Sequence, residues 1–163
     1  MSNYRRSYIP GGTWFFTVNL QNRQSDLLTR HIEKLRATTA LIKRKKPFLI
    51  NAWVILPEHM HCIWTLPDGD TDYSGRWRDI KKIFTRELEM RRVWQPRFWE
   101  HAIRNEEDYQ RHIDYVYINP VKHGYVKRVI DWPYSTFHRD VLTGLYSSDW
   151  AGEVADFDAG ERR

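Results

Sequence analysis

The spacing of apolar residues predicts four β-strands in this chain. Four segments are rich in aromatic and β-branched residues, and clusters of Gly, Pro and Asp border several of them. These segments cover residues 13–20, 48–55, 59–66 and 98–104. Because only three residues separate the second segment from the third, we expect these two to pair as antiparallel neighbours.

Three further segments show the three-to-four-residue spacing of amphipathic helices. They begin near residues 29, 74 and 106, and they stop at Pro47, at Gln95-Pro96 and at Asn119, which precedes Pro120. Ser74 is of a residue type that commonly caps a helix N-terminus. Residues beyond Asp131 show no clear period, and we predict irregular structure there.

The resulting order, β-α-β-β-α-β, predicts an α+β protein with the ferredoxin-like fold. In that arrangement a four-stranded antiparallel sheet carries two helices on one face and leaves the other face free. RNA-recognition domains stack bases on strand aromatics of the free face, a position that Trp14 and Phe16 could occupy here. We expect one domain over residues 1–163, of which residues 141–163 form an acidic C-terminal tail.

Charge is distributed unevenly along the chain and favours a polyanionic partner. Lys and Arg number 26 against 21 Asp and Glu, and the segments 30–46 and 76–92 each contain seven basic residues. The sign reverses between residues 149 and 161, which include five acids and no Lys or Arg. A basic body with an acidic tail is typical of nucleic-acid-binding proteins, although a basic run taken alone more often marks a solvated helix surface.

The cellular compartment follows from what the sequence lacks. It contains one cysteine, Cys62, no signal-like N-terminus and no apolar run long enough to cross a bilayer. We therefore expect a soluble, cytoplasmic protein without an internal disulfide, associated with the nucleoid if its partner is DNA.

His59 and His61 are the first candidates for a metal site. Side chains on a strand alternate between its faces, so the two imidazoles point to one side and Met60 points to the other. The same alternation turns Cys62 away, and without a second cysteine structural zinc is poorly supported. With an added oxygen ligand and open positions, Mg²⁺ or Mn²⁺ fits better. A His-x-His pair alone is a weak signal, so a pair without any ligand role stays an alternative.

Tyr115 and Asn119 form a second candidate pair. Four residues apart on a helix, they share a face and can present a phenol and an amide to the same centre. A phenol beside a metal can attack a phosphodiester and form a phosphotyrosine, from which a second 3′-OH can rejoin the strand. Tyr109 and Tyr117 compete for this role, but Tyr117 lies about 200° around the helix from Tyr115. Packing of Tyr115 on the sheet is the alternative.

Taken in order along the chain, these motifs resemble a known family. The segment Pro57-Glu58-His59-Met60-His61 resembles the HUH motif, His-hydrophobe-His, of single-tyrosine transposases. The remaining matches are similar to the REP-associated tyrosine transposases (RAYTs), and they are YRR at 4–6, GGTWFFT at 11–17, FWEHAIR at 98–104, YVYINPVK at 115–122 and WPYSTF at 132–137. The resemblance runs from near the N-terminus to about residue 140.

The resemblance implies a function and a role for individual residues. It implies an HUH domain that binds a single-stranded DNA hairpin, the repetitive extragenic palindrome (REP), and cleaves it near its foot with Mg²⁺ or Mn²⁺. His59 and His61 would be metal ligands. Tyr115 would be the nucleophile that forms a 5′-phosphotyrosine and frees a 3′-OH. Asn119 stands where related transposases have a glutamine as third ligand, a departure from their pattern.

The resemblance also implies that the protein reads a GTAG tetranucleotide beside the hairpin. Basic and aromatic residues of the N-terminal arm, the second helix and the fourth strand are the candidates for DNA contacts, namely Tyr4, Arg5, Arg6, Arg76, Arg78, Lys81, Lys82 and Arg104. Related insertion-sequence enzymes are dimers, whereas for a RAYT we expect a monomer with the tyrosine acting in cis. A dimer is the alternative.

Three other functions stay open at the level of sequence. The first is a non-catalytic protein that binds hairpins with the same fold, and the second is an RNA-recognition module. The third is a phosphoesterase whose histidines act as acid and base. The charge reversal adds a hypothesis of its own, in which the acidic tail, residues 149–161, folds over the basic groove and competes with DNA.

Overall fold

The secondary structure follows the predicted order. The computed structural model of the protein describes residues 11–152 and 158–161. In this part of the chain the strands are β1 (Thr13–Asn19), β2 (Leu49–Ile55), β3 (His59–Thr65) and β4 (Trp99–Ala102). The helices are α1 (Leu27–Arg30), α2 (Ile32–Lys45), α3 (Tyr73–Glu87), α4 (Glu106–Lys122) and α5 (Phe137–Leu142). The predicted strands and the three long helices are confirmed. Most ends differ by a few residues, but α3 ends at Glu87, well before the predicted stop at Gln95-Pro96.

The four strands form one antiparallel sheet in the order β2-β3-β1-β4. This is the strand order of a ferredoxin-like sheet, so the predicted α+β class and topology are confirmed. The central strands β1 and β3 pair with Thr17 opposite His61 and Asn19 opposite His59. Both histidines therefore lie in the middle of the sheet, where neighbouring strands fix their positions.

Helices α2 and α3 pack on one face of the sheet. Trp14, Phe16 and Trp64 point into this layer and are fully buried beneath the two helices. Trp64 stacks on Trp77 of α3 with ring centroids 4.3 Å apart and an interplanar angle of 15°. These large aromatic side chains supply most of the apolar area in this layer.

The opposite face of the sheet is covered rather than free. Helix α4 crosses it and packs Val116 and Ile113 against Phe15 and Ile63 of the sheet. The prediction of a free sheet face is wrong, because α4 is apolar on the side that meets the strands. The prediction of an RNA-stacking platform on Trp14 and Phe16 is also wrong, since both aromatics lie in the core below α2 and α3.

The C-terminal region is more ordered than the sequence predicted. A 3₁₀ turn at Val129–Asp131 precedes α5. Between them, the backbone N–H of Ile55 donates to the Tyr134 carbonyl and the N–H of Thr136 donates to the Trp53 carbonyl, both at 2.9 Å. Residues 134–136 therefore cover part of the outer edge of β2. No helix in residues 11–152 and 158–161 has the length and apolar character needed to span a membrane.

Arg76 lies in the interior and does not form part of a DNA-binding surface. Its side chain is 2% exposed, and the guanidinium donates to the carbonyl oxygens of Lys46, Pro47 and Asp72. It also pairs with the Asp70 carboxylate at 2.7 Å. The predicted nucleic-acid contact of Arg76 is therefore wrong, because its donors join α3 to the segment before β2 and to the segment after β3.

Replacing Arg76 should destabilise the fold strongly. We expect Arg76→Met to lower the free energy of unfolding by about 3 kcal/mol or more, because buried carbonyls and Asp70 lose their donor. Urea denaturation followed by circular dichroism measures the change. Arg78→Met is the matched control, since the Arg78 side chain is 74% exposed and its loss should cost less than about 0.5 kcal/mol. Equal effects of the two substitutions would contradict the structural role.

Candidate metal centre and nucleophile

Strand β3 places His59 and His61 on the face of the sheet that α4 covers. Their neighbours Met60 and Cys62 belong to the core on the opposite side, as strand alternation predicts. All four side chains are fully buried. Cys62 is thus separated from the histidines by the sheet, which confirms that it is not part of their cluster.

Hydrogen bonds orient both imidazole rings. The Nδ1 atom of His59 lies 2.7 Å from a carboxylate oxygen of Glu58, and the Nδ1 atom of His61 lies 2.7 Å from the Thr17 hydroxyl on β1. Since Nδ1 of each ring is engaged, Nε2 is the atom that each histidine presents to the pocket below α4. A carboxylate or hydroxyl that fixes the ring in this way is the usual support of a metal-binding histidine.

Helix α4 brings Tyr115 and Asn119 to the same pocket. The Tyr115 ring meets the His61 ring edge-on with centroids 5.2 Å apart, and Asn119 is fully buried one turn later. The predicted end of this helix at Asn119 is wrong, because the helix continues through Pro120 to Lys122. Pro120 removes one helical hydrogen-bond donor, but the buried contacts of α4 with the sheet hold its last turn in place.

The two competing tyrosines lie elsewhere. Tyr117 donates a hydrogen bond to Asp140 and contacts the Thr136 hydroxyl, and burial together with Asp140 raises its pKa far above the usual range. Tyr109 is half-buried near Asn51, at the far side of α4. Of these three tyrosines, only Tyr115 lies beside the histidine pair.

A residue that the sequence analysis did not select, Glu161, lies at the centre of this pocket. Its carboxylate is 2.8 Å from Nε2 of His61 and 3.8 Å from Nε2 of His59. It also accepts a hydrogen bond from the Tyr115 hydroxyl. The other contacts of the carboxylate are Asn119 Nδ2 at 2.9 Å, Lys122 Nζ at 3.2 Å and His123 Nε2 at 3.3 Å.

The pocket stabilises a negative charge at the position of this carboxylate. Burial disfavours the charge, but the contacts with His123, His59 and His61 hold the pKa of Glu161 well below its usual range. Burial lowers the pKa of His61 to about 4, so its ring is neutral at neutral pH. Burial also acts to lower the pKa of His59, but the carboxylates of Glu161 and Glu58 outweigh it and raise that pKa. The pocket therefore holds the Glu161 side chain in its ionised form.

The same atoms fit a divalent metal ion. Nε2 of His59 and Oδ1 of Asn119 are buried and receive no hydrogen bond from the described residues. Nε2 of His61 faces the same space, and one donor atom each from His59, His61 and Glu161 lie within 4.8 Å of one another. Imidazole nitrogens with amide or carboxylate oxygens suit Mn²⁺ or Mg²⁺. Asn119 can serve as the third protein ligand through Oδ1, without requiring Glu161.

A second histidine cluster anchors the N-terminal end of α4 to β4. The Asp108 carboxylate accepts from His101 Nε2 at 2.8 Å and from the Arg104 backbone N–H at 2.9 Å. His112 donates from Nδ1 to the Asp108 carbonyl, and its ring stacks on the His101 ring at 4.4 Å with an angle of 13°. These contacts hold the helix in place. One ligand atom each from His101, Asp108 and His112 also lies within 4.8 Å of the others, so the cluster is a second place where a metal ion could bind.

The predicted DNA-contact residues lie in separate regions. Lys81 and Lys82 line a groove of about 660 Å³ between α3 and residues 92–98, and Arg78 flanks it. The Lys81 ammonium lies over the Phe98 ring at 5.4 Å, and burial lowers its pKa to about 8. The Arg104 side chain is exposed beside Asp108 at the end of β4. The predicted contacts Tyr4, Arg5 and Arg6 lie outside the described residues.

Known proteins provide an independent comparison. No protein-family model matches the chain. However, a protein from Escherichia coli (strain K12), named REP-associated tyrosine transposase, is 68% identical to it over 162 residues. The alignment covers 99% of this chain and 98% of the relative. The chain belongs to the REP-associated tyrosine transposase family.

Two further RAYT comparisons agree with this assignment. A relative from Haemophilus influenzae is 45% identical over 166 residues, which cover 93% of this chain and 94% of the relative. A solved structure, described as the REP-associated tyrosine transposase bound to a REP hairpin, matches with a TM-score of 0.96 and 67% identity. That match covers 100% of this chain and 99% of the other. The predicted RAYT resemblance and its fold are confirmed.

The orienting role of Glu58 in this RAYT can be tested by metal binding. We expect Glu58→Gln to weaken Mn²⁺ binding about 10- to 100-fold, because an amide orients the His59 ring less well than a carboxylate. Electron paramagnetic resonance of free Mn²⁺ measures the affinity without any need for activity. Glu33→Gln is the control, since Glu33 lies on α2 at the opposite face of the sheet, where it pairs with Arg36. Unchanged affinity in Glu58→Gln would remove Glu58 from the site.

Proposed function

We propose that this protein is a metal-dependent single-stranded DNA endonuclease and strand transferase that acts on REP-type hairpins through a 5′-phosphotyrosine on Tyr115. The observation that carries the proposal is the convergence of Tyr115, the histidine pair and Asn119 on one bound carboxylate. The carboxylate of Glu161 marks where an oxygen of the scissile phosphate would bind. The relative whose structure contains a REP hairpin supports the choice of substrate.

The chain's own groups can perform the reaction once Glu161 gives way to the phosphate. Asn119 Nδ2 and Lys122 Nζ, which now donate to the carboxylate, can donate to the phosphate oxygens instead. The Tyr115 oxygen then attacks phosphorus, the bond from phosphorus to the 3′-oxygen breaks, and the phenol proton passes through water to the departing 3′-oxygen. A divalent ion held by His59, His61 and Asn119 would supply Lewis-acid stabilisation of the phosphate charge.

The surface of the protein supports binding of a hairpin by one subunit. The groove beside α3 presents Arg78 and Lys82 together with Lys81, whose ammonium lies over the Phe98 ring, and these basic side chains are suited to phosphate contacts. Contacts of this kind should weaken steeply as salt is added. Tyr115 lies beside histidines of the same chain, which supports a monomer with the tyrosine acting in cis. We expect the GTAG tetranucleotide to be read near this groove and the N-terminal arm.

A hairpin-binding protein without catalysis is the second candidate. The observation that favours it is the occupied pocket, because Glu161 engages the groups that a substrate would need. It predicts tight binding of a hairpin without a covalent product. A phosphoesterase that uses the histidines as acid and base would instead release product without metal and without a protein adduct.

Formation of a covalent adduct distinguishes these functions. We expect a single-stranded REP-type hairpin with GTAG at its 5′ side, labelled downstream of the cut, to yield a labelled protein band on a denaturing gel with Mn²⁺ or Mg²⁺. The band should be lost in Tyr115→Phe, because the nucleophilic oxygen is gone. Tyr109→Phe, on the same helix but away from the pocket, should retain it. Tight binding without an adduct under either metal would favour the non-catalytic function.

The acidic tail should restrain the reaction through Glu161. We expect removal of the residues after Ser148, or the single change Glu161→Gln, to raise hairpin affinity or the cleavage rate, because the phosphate then has no competing carboxylate. Gel-shift titration at fixed salt and the rate of adduct formation measure these effects. Asp158→Asn is the control, since the exposed Asp158 lies in the same segment and its side chain accepts a hydrogen bond from the Gly160 backbone N–H. Unchanged affinity and rate in both variants would exclude this role.

A further inference from the structure

Lys122 directly contacts the oxygen of the tyrosine. Its ammonium lies 3.0 Å from the Tyr115 hydroxyl oxygen and 4.8 Å from the centroid of the Tyr115 ring. The Lys122 side chain is 26% exposed, so the ammonium is largely withdrawn from bulk water. A hydrogen bond from a charged donor in such a place is stronger than the same contact at the surface.

The continuation of α4 through Pro120 places Lys122 at this position. Lys122 is the last residue of the helix and follows Tyr115 by seven residues, which is close to two turns, so both side chains project from one face. A cation in the last turn is also favoured by the helix dipole. The fold therefore fixes an ammonium beside Tyr115 through backbone geometry, independently of the tail.

We infer that Lys122 is a catalytic residue whose ammonium stabilises negative charge on the Tyr115 oxygen while its bond to phosphorus forms and breaks. The inference rests on the proposed function. In cleavage, the phenol gives up its proton to water as the bond from its oxygen to phosphorus forms, and the leaving 3′-oxygen takes up a proton from water. In joining, a 3′-hydroxyl gives up its proton to water as its oxygen attacks phosphorus, the bond to the tyrosine oxygen breaks, and the departing phenolate takes up a proton from water.

The main requirement of this chemistry is that the protein stabilise negative charge on the tyrosine oxygen. The oxygen carries partial negative charge in both transition states, and the Lys122 ammonium is in hydrogen-bond contact with it. A donor aimed at the atom where charge develops typically contributes 10²- to 10³-fold in rate. Lys122 meets that condition in the structure.

Pairing with the tail does not by itself explain the position of Lys122. Glu161 has hydrogen-bond partners in His61, Asn119 and Tyr115 without the lysine. The ammonium lies within hydrogen-bond distance of both the tyrosine oxygen, at 3.0 Å, and the carboxylate, at 3.2 Å. When a phosphate replaces the carboxylate, Lys122 stays within reach of the tyrosine oxygen.

The single native cysteine permits a direct chemical test. Cys62 is fully buried and burial raises the pKa of its thiol, so it should resist alkylation in the folded protein. A Lys122→Cys variant can then be treated with 2-bromoethylamine, which restores an ammonium at nearly the original length. Treatment with iodoacetamide adds a neutral group instead. Lys122→Met and Lys122→Arg complete the set, and Lys127→Met serves as the control at an exposed lysine just beyond α4.

Three quantities are measured for each protein: the rate of adduct formation, the rate of strand rejoining when a 3′-hydroxyl oligonucleotide is added, and hairpin affinity. We expect Lys122→Met to slow both chemical steps about 100- to 1000-fold, with a much smaller change in affinity. The aminoethylated cysteine and Lys122→Arg should recover a large part of the rate, and the iodoacetamide product should not. Circular dichroism of the Cys variant before and after alkylation checks that the fold is retained.

The outcomes distinguish failure of the role inferred for Lys122 from failure of the proposed function on which that role rests. Rates in Lys122→Met equal to those of the unmodified protein, or equal recovery by the neutral and charged alkylating agents, would overturn the role of Lys122 alone. Unmodified protein that forms no adduct with either metal would overturn the proposed function, and the role of Lys122 with it. Loss of affinity that accounts for the whole rate loss would assign Lys122 to DNA binding and reject its charge-stabilising role.

Discussion

The site depends on the burial of two polar side chains in a central strand. Strand β3 has neighbours on both sides and helices on both faces, so its side chains from His59 to Trp64 are buried. His59 and His61 are fully buried there, and buried ring nitrogens are costly unless other groups satisfy them. Thr17 and Glu58 each satisfy one nitrogen of one ring, and the two remaining nitrogens, both Nε2, need another polar group or a metal ion as a partner. Helix α4 and the tail supply the groups that surround these two nitrogens.

The parts of the site that depend only on residues close together in the chain could be predicted from the sequence. Strand alternation separates His59 and His61 from Met60, and helical spacing puts Tyr115 and Asn119 on one face, because both patterns depend only on backbone geometry. The ferredoxin-like topology followed from the order of the strand and helix patterns, and the family followed from the ordered short motifs. Pro120 led to a wrong prediction of where α4 ends. Helical backbone is disfavoured at the residue before a proline, but the tertiary packing of α4 outweighs this preference and the helix continues.

The parts that depend on distant segments could not be predicted in the same way. In the sequence, Arg76 is one of several basic residues in a positively charged segment. Its burial depends on hydrogen bonds to carbonyl oxygens 29 and 30 residues earlier in the chain. Glu161 lies 100 residues beyond His61, and no local pattern connects the two. The reversal of charge after residue 149 was the sole signal, and it indicated a competing tail without identifying which acid enters the pocket.

The covering of the β2 edge has a consequence for how the protein behaves at high concentration. An open edge strand can recruit the same strand of another molecule, which is a common first step of aggregation. Residues 134–136 already use backbone groups of Trp53 and Ile55 on that edge. The opposite edge strand, β4, has only four residues and offers a short template. Detachment of the 134–136 segment is therefore the local opening that would convert this sheet into a nucleus for intermolecular β-structure.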